Sequence, residues 1–254
     1  MRKIALITGA TSGIGEATAF MLAENNYKVI LTGRRQDRLN ALKNKMEKEY
    51  STQVYTLHFD IRNPEETENA IKNLPEEWQN IGILINNAGL AAGLSTINEG
   101  DPADWDQMID TNIKGLLQIT RIISKKMIQR GEGHIVNISS IAGKETYPLG
   151  NVYCATKHAV QALTKGMRLD FLPYGIKVSS VCPGAVHTEF SLVRFKGDKH
   201  RADKVYEGFT PLYANDIAET ILFVITRPKH VNIDDILIMP TAQAFSRDFN
   251  KKTS

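Results

Sequence analysis

Cysteine is scarce in this sequence, and no stretch concentrates charge of one sign. The 254 residues include two cysteines, Cys154 and Cys182, whose spacing matches neither a zinc site nor a CxxC redox pair. Two isolated thiols are typical of a reduced, cytosolic protein. The net charge is +3, from 31 basic and 28 acidic side chains. No basic block is dense enough to indicate nucleic acid as a partner.

Long hydrophobic runs are also missing. No apolar segment approaches the ~20 residues that a helix needs to cross a bilayer. The first residues enter a strand pattern directly, without a charged leader and an apolar stretch. We therefore expect a cytoplasmic protein with no membrane partner. The sequence contains neither an HExxH motif nor a carboxylate cluster, so we predict no metal site.

The dominant pattern is an alternation of strands and helices. Continuous apolar runs such as IALI at 4–7 are typical of strands buried on both faces of a parallel sheet. Helical patterns separate these runs, which predicts a doubly wound α/β fold of about seven strands with helices on both faces. The length favours one domain over residues 1–254. Strands are predicted at 3–8, 28–32, 54–59, 83–86, 134–139, 177–181 and 236–239, and helices at 13–25, 35–50, 64–75, 105–130 and 151–173.

The least regular stretch covers residues 188–210 and follows Pro183-Gly184. In this architecture, loops after the strands lie beyond their carboxyl ends, where ligands bind. We interpret the stretch as a lid over a substrate, and the alternative is an ordinary surface loop.

A glycine-rich turn follows the first predicted strand. Glycines recur at 9, 13 and 15 within TGATSGIG, and glycine permits a tight turn and close backbone approach to a diphosphate. A helix beginning at Gly13 would direct unpaired N–H groups and its positive dipole end at that diphosphate. Incidental glycines in a turn are the alternative, but the strand before and the helix after favour dinucleotide binding.

The end of the second strand indicates which dinucleotide binds. An acidic residue there would hold the free 2′-hydroxyl of NAD, but this position is Gly33, followed by Arg34 and Arg35. Two guanidinium groups suit a 2′-phosphate through charge-assisted hydrogen bonds. Unless both arginines are merely solvated, the cofactor is NADP.

Tyr153 and Lys157 are spaced i, i+4, so a helix would place both on one face. A nearby ammonium favours the phenolate and lowers the pKa of a tyrosine. A phenol tuned in this way can exchange a proton with an alcohol near neutral pH. The neighbouring Cys154 has no evident base and is expected to be structural.

Two further polar residues complete the predicted catalytic set. Ser140, just after a buried strand, would hydrogen-bond the reacting oxygen of the substrate, and Ser139 is the competing choice. Asn112, within the long helix predicted at 105–130, would hold a water that leads protons to Lys157.

These motifs together resemble the short-chain dehydrogenase/reductase superfamily, a Rossmann-type family, from residue 3 to about 240. TGATSGIG at 8–15, NNAG at 86–89, Asn112, the serine thirteen residues before the tyrosine, and YxxxK at 153–157 occur in the family's order and spacing. The resemblance implies that Ser140 is the catalytic serine, together with Asn112, Tyr153 and Lys157. It implies cofactor contacts from Gly9, Thr11, Ser12, Gly13, Ile14, Gly15, Arg34, Arg35, Asp60, Ile61, Asn87, Tyr153, Lys157, Pro183, Gly184, Val186 and Thr188.

A narrower resemblance is to the bacterial NADP-dependent 3-hydroxy acid dehydrogenases. LPEEWQNIGILINNAGLA, VRFKGD and HVNI followed by IMP carry it, although PGAVHTEF has one glycine fewer than is common in that group. The resemblance implies a homotetramer that oxidises serine, allo-threonine or 3-hydroxyisobutyrate at C3. Arg194, with Lys196 nearby, is the candidate for the substrate carboxylate. The alternatives are a broad carbonyl or 3-oxoacyl-thioester reductase and a non-catalytic NADPH-binding protein.

Overall fold

The computed structural model of this chain describes residues 3–251 and has a parallel sheet at its centre. The strands are β1 (Ile4–Ile7), β2 (Lys28–Gly33), β3 (Val54–His58), β4 (Ile81–Asn86), β5 (Gly133–Ile138), β6 (Ile176–Pro183), β7 (Val186–His187), β8 (Leu212–Tyr213), β9 (Asp235–Ile238), β10 (Gln243–Phe245) and β11 (Asp248–Phe249). Seven of them form the central sheet in the order β3-β2-β1-β4-β5-β6-β9. All its pairings are parallel, which confirms the predicted fold class.

Nine α-helices are described within residues 3–251. They are α1 (Gly13–Glu24), α2 (Gln36–Glu49), α3 (Pro64–Lys72), α4 (Pro102–Ile109), α5 (Leu116–Arg130), α6 (Asn151–Phe171), α7 (Phe190–Arg194), α8 (Lys199–Lys204) and α9 (Ala214–Ile225). None of the described helices is long and apolar enough to cross a membrane.

Helices cover both faces of the sheet, as the buried strands require. Against one face, Leu39, Leu42 and Met46 of α2 are buried in a core shared with α1 and α9. Against the other face, Ile119 of α5 and Val160 of α6 are buried in a second core. Both cores are continuous with β1, whose four residues are all buried. The apolar runs of the strands therefore have partners on each side.

The strand order reverses beside β1, which pairs with β2 on one side and β4 on the other. Connections leave the sheet in opposite directions at such a point and open a crevice beyond the carboxyl ends of the strands. The glycine-rich turn after β1 and the segment after β4 lie at this edge.

The chain departs from the sequence prediction in several places, and α9 and the β7–β8 pair are also absent from the predicted elements. The helix expected at 105–130 begins at Pro102, which Asp101 caps, and a π-helical turn at Asp110–Gly115 interrupts it. Residues 188–210 contain the short helices α7 and α8 rather than an irregular loop. A two-stranded hairpin, β10 with β11, follows the last sheet strand and was not predicted. Short elements of this kind contain too few residues to show the hydrophobic periodicity from which helices and strands are predicted.

Candidate active site

A cleft of about 770 Å³ opens at the carboxyl edge of the sheet. It runs from the glycine-rich turn, past α6, to α7 and the β10–β11 hairpin. Most predicted site residues line it, but Gly15 and Asn112 lie behind its surface. Those that line it are Gly9, Thr11, Ser12, Gly13, Ile14, Arg34, Arg35, Asp60, Ile61, Asn87, Ser140, Tyr153, Lys157, Pro183, Gly184, Val186 and Thr188.

The turn between β1 and α1 requires its glycines. Gly9 and Gly13 have φ angles of 65° and 56°, a region that side chains with a Cβ rarely adopt. A Cβ on Gly15 would lie 2.4 Å from the amide nitrogen of Asn87, which itself donates to the carbonyl of Thr8 at 2.9 Å. Ser12 precedes α1 without a side-chain cap bond. The first residues of α1 line the cleft, and the positive end of this helix suits an anion.

Arg34 and Arg35 have different surroundings. Arg34 is more than half exposed, and its Nη1 lies 3.8 Å from the carboxylate of Asp60. Arg35 donates to the hydroxyl oxygen of Thr11 at 2.9 Å and to the carboxylate of Glu189 at 3.0 Å. Both guanidinium groups border the cleft beside Gly33, as predicted.

Arg38 is a third cation at this end that the sequence analysis missed. Its Nη1 donates to Glu189 at 2.7 Å, so Glu189 bridges Arg35 and Arg38. Burial raises the pKa of Glu189, but hydrogen bonds from Arg38 and Arg35 outweigh it and the net shift is downward. The i, i+3 spacing of Arg35 and Arg38 at the start of α2 was a usable signal. Nothing local indicates Glu189, which is 151 residues away.

Tyr153 and Lys157 lie on one face of α6, and both are buried. Lys157 donates to the carbonyl of Ile138 at 2.9 Å, and burial lowers the pKa of its ammonium to about 8. Burial also raises the pKa of Tyr153, with a smaller upward contribution from Tyr147. A hydrogen bond with Ser140 and the charge of Arg194 act in the opposite direction. The expected net lowering of the Tyr153 pKa is therefore wrong, because burial outweighs the contributions that lower it.

The two candidate serines point to different places. Ser140 lines the cleft with Tyr153, lies close enough to lower the pKa of its phenol, donates to the carbonyl of Pro183 at 3.4 Å and accepts from the N–H of Ala142 at 3.1 Å. Ser139 instead donates to the carbonyl of Lys157 at 3.3 Å. Ser140 is thus the hydroxyl that can share a substrate oxygen with Tyr153.

Asn112 lies in the π-helical turn and fixes the segment after β4. Its amide donates to the carbonyl of Leu90 at 2.8 Å and to Thr156 at 3.0 Å, and its oxygen accepts from the N–H of Leu90 at 2.9 Å. A Cβ on Gly89 would lie 3.3 Å from that oxygen and 3.4 Å from the Lys157 nitrogen. The amide oxygen of Asn112 and the ammonium of Lys157 therefore both lie beside Gly89.

Aromatic and basic side chains close the far end of the cleft. Phe190 packs against Tyr153, with ring centres 5.6 Å apart. Arg194 is buried, donates to the hydroxyl of Tyr147 at 2.9 Å, and places its guanidinium carbon 5.4 Å from the centre of the Tyr153 ring. Lys196 instead pairs with Asp104 at 2.9 Å and does not line the cleft. Of the two residues named as candidates for the substrate carboxylate, Arg194 is the one beside Tyr153.

This fold and site define a class: the chain belongs to the short-chain dehydrogenase family, which residues 3–198 match. It is 46% identical over 244 residues to the NADP-dependent 3-hydroxy acid dehydrogenase YdfG of Salmonella typhi, covering 96% of this chain and 97% of that protein. It is 43% identical over 247 residues to sulfoacetaldehyde reductase 2 of Chromohalobacter salexigens, covering 97% of each. A serine dehydrogenase solved in its closed form with NADP+ has a TM-score of 0.91 and 42% identity, covering 99% of this chain and 100% of that one.

Proposed function

We propose that this protein is an NADP-dependent oxidoreductase that transfers hydride between nicotinamide and C3 of a short 3-hydroxy acid. One observation carries the proposal: the guanidinium carbon of Arg194 lies 5.4 Å from the ring centre of Tyr153, in the cleft that Ser140 also lines. A proton-transfer group and a buried cation therefore face the same small volume. A hydroxyl held at Tyr153 would leave an acid group within reach of Arg194.

NADP supplies the hydride acceptor or donor when it is bound. The first N–H groups of α1, after Ser12, would hold its diphosphate. Arg34 and Arg35 would hold the 2′-phosphate, Asp60 and Ile61 would flank the adenine, and Asn87 the adenosine ribose. Lys157 would hold the nicotinamide ribose, and Val186 and Thr188 the carboxamide and diphosphate.

The protein's own part in the reaction is to manage a proton at the hydroxyl of Tyr153. In oxidation this oxygen takes the proton of the substrate hydroxyl, and in reduction it returns it. Ser140 holds the substrate oxygen. Because burial opposes the phenolate, positive charge around Tyr153 is required. Arg194 already acts in that direction.

Asn112 is proposed to act through Lys157. It fixes Gly89 and Leu90 beside the ammonium, and this position suits a water that passes protons to Lys157. Both amide hydrogens of Asn112 are already bonded, so that water would have to share them or the amide oxygen.

The substrate class rests on the guanidinium of Arg194. A guanidinium group can bind a carboxylate through two parallel charge-assisted hydrogen bonds, which are among the strong hydrogen bonds in proteins. The relatives named for 3-hydroxy acids, serine and sulfoacetaldehyde support a small acidic substrate. The test is a panel with NADP+: serine, allo-threonine and 3-hydroxyisobutyrate against 2-propanol and a 3-hydroxyacyl thioester. Faster turnover of the thioester would favour the broad reductase alternative, and no turnover at all would favour a binding protein.

The resemblance to this group also supports a homotetramer. Leu169 and Leu172, at the end of α6 and just beyond it, are more than 70% exposed, whereas Ile119 and Val160 are buried in the core. An assembly would cover the first pair. Light scattering at micromolar concentration distinguishes a tetramer from a monomer.

A further inference from the structure

The turn of the β10–β11 hairpin is fixed against the active-site loops. Gln243 at its start accepts from the N–H of Ala185 at 2.9 Å. Ser246 donates through its backbone and hydroxyl to the carboxylate of Glu145, at 2.9 and 2.8 Å. Both side chains are buried. The turn therefore holds the next residue, Arg247, at the mouth of the cleft.

Arg247 and Arg194 lie around the same aromatic ring. Their guanidinium carbons are 4.6 and 5.5 Å from the ring centre of Tyr147. Burial lowers the pKa of Arg247, and the charge of Arg194 adds to that lowering, so the two cations are close enough to repel. Among the described ion pairs of residues 3–251, neither arginine has a carboxylate partner.

Arg194 is buried and Arg247 is exposed, and two neighbouring cations without a carboxylate partner favour the binding of an anion. Further basic side chains line this end of the cleft and increase its positive potential. The acidic residues that line the cleft, Asp60 and Glu189, are instead paired with arginines at the other end. The further basic residues are Arg201, Lys204 and Lys251. Such a potential concentrates anions and favours those of higher charge.

We propose that Arg247 is a specificity-determining residue, and that the preferred substrates are short hydroxy acids with two negative charges, one bound by Arg194 and one by Arg247. Both guanidinium carbons lie within 5.5 Å of one ring centre, so both cations border the same part of the cleft. This inference rests on the proposed function in one respect, that the cleft binds short acids. It does not depend on which carbon is oxidised.

Equilibrium binding tests the inference without turnover. Succinate and butyrate have the same chain length and differ by one carboxylate. Titration calorimetry of the enzyme saturated with NADP+ should show succinate binding at least about tenfold more tightly, the scale of one charge-assisted bond. Arg247→Gln should remove this preference and leave butyrate and NADP+ affinities within about twofold. Arg247→Lys should retain part of the preference.

A matched control is Arg227→Gln, because Arg227 also lies over an aromatic ring, 4.2 Å from the centre of Phe223, but does not line the cleft. It should leave the succinate preference unchanged. Equal affinity for the two acids in the wild type, or an unchanged preference in a folded Arg247→Gln variant, would overturn the inference. Unchanged NADP+ affinity and thermal melting establish that the variant is folded. Failure of the proposed function appears separately, as absence of turnover across the hydroxy acid panel.

Discussion

Removing Arg34 and Arg35 together should change which cofactor the enzyme prefers. A charge-assisted hydrogen bond contributes about 1.5–3 kcal/mol, and about 1.4 kcal/mol corresponds to a tenfold change in affinity. Arg34 is 55% and Arg35 38% exposed at the side chain, so each bond belongs at the lower end of that range. Loss of one bond from each arginine therefore predicts NADPH binding weakened by about a hundredfold, with NADH nearly unaffected.

The assay is fluorescence titration of both reduced cofactors with the double alanine variant. Lys48→Ala is the control, because Lys48 is an exposed cation at the far end of the same helix, α2. Glu189→Gln should act in the opposite sense: it releases Arg35 and Arg38 from a carboxylate and should tighten NADPH binding. An equal loss for NADPH and NADH in the double variant would refute the assignment of these arginines to the 2′-phosphate.

Two further predictions concern the proton-transfer group and acid stability. Tyr153→Phe should keep the fold and NADPH binding, since the ring still packs against Phe190, but lose at least ~10²-fold in kcat; near-wild-type turnover would exclude Tyr153 as the acid/base. His134 is buried, and burial lowers its pKa to about 3. Below about pH 6.5, His134 is therefore protonated in the unfolded chain but stays neutral in the folded protein. The free energy of unfolding consequently falls as the pH decreases toward 3. Urea unfolding at pH 5 and pH 8 should show that His134→Gln removes about 2 kcal/mol of this loss; an unchanged difference would refute it.

Most of the fold and the centre of the site could be predicted from patterns of residues that are close in sequence. The buried runs at 4–7 and 83–85, the glycines at 9, 13 and 15, and the i, i+4 pair Tyr153 and Lys157 each depend on residues close in sequence. A helix or strand places such residues by its own geometry. These elements were therefore predictable within a few residues.

The missed features depend on residues far apart in the chain. Glu189 joins Arg38 across 151 residues, and Arg247 lies over Tyr147, 100 residues earlier. Only the packed fold brings such groups together, so no local periodicity in the sequence predicts these contacts. The π-helical turn around Asn112 was missed because its extra residue leaves the apolar pattern of α4 and α5 almost intact.

The most direct test of the central claim compares serine with its methyl ester, using NADP+ and the wild-type and Arg194→Gln enzymes. The ester keeps the hydroxyl that Tyr153 would deprotonate and removes the carboxylate that Arg194 would bind. We predict that the wild type loses most of its kcat/KM on the ester, and that Arg194→Gln abolishes the difference between the two compounds. Equal or better wild-type rates on the ester, 2-propanol or 1-phenylethanol would contradict recognition of an acid group.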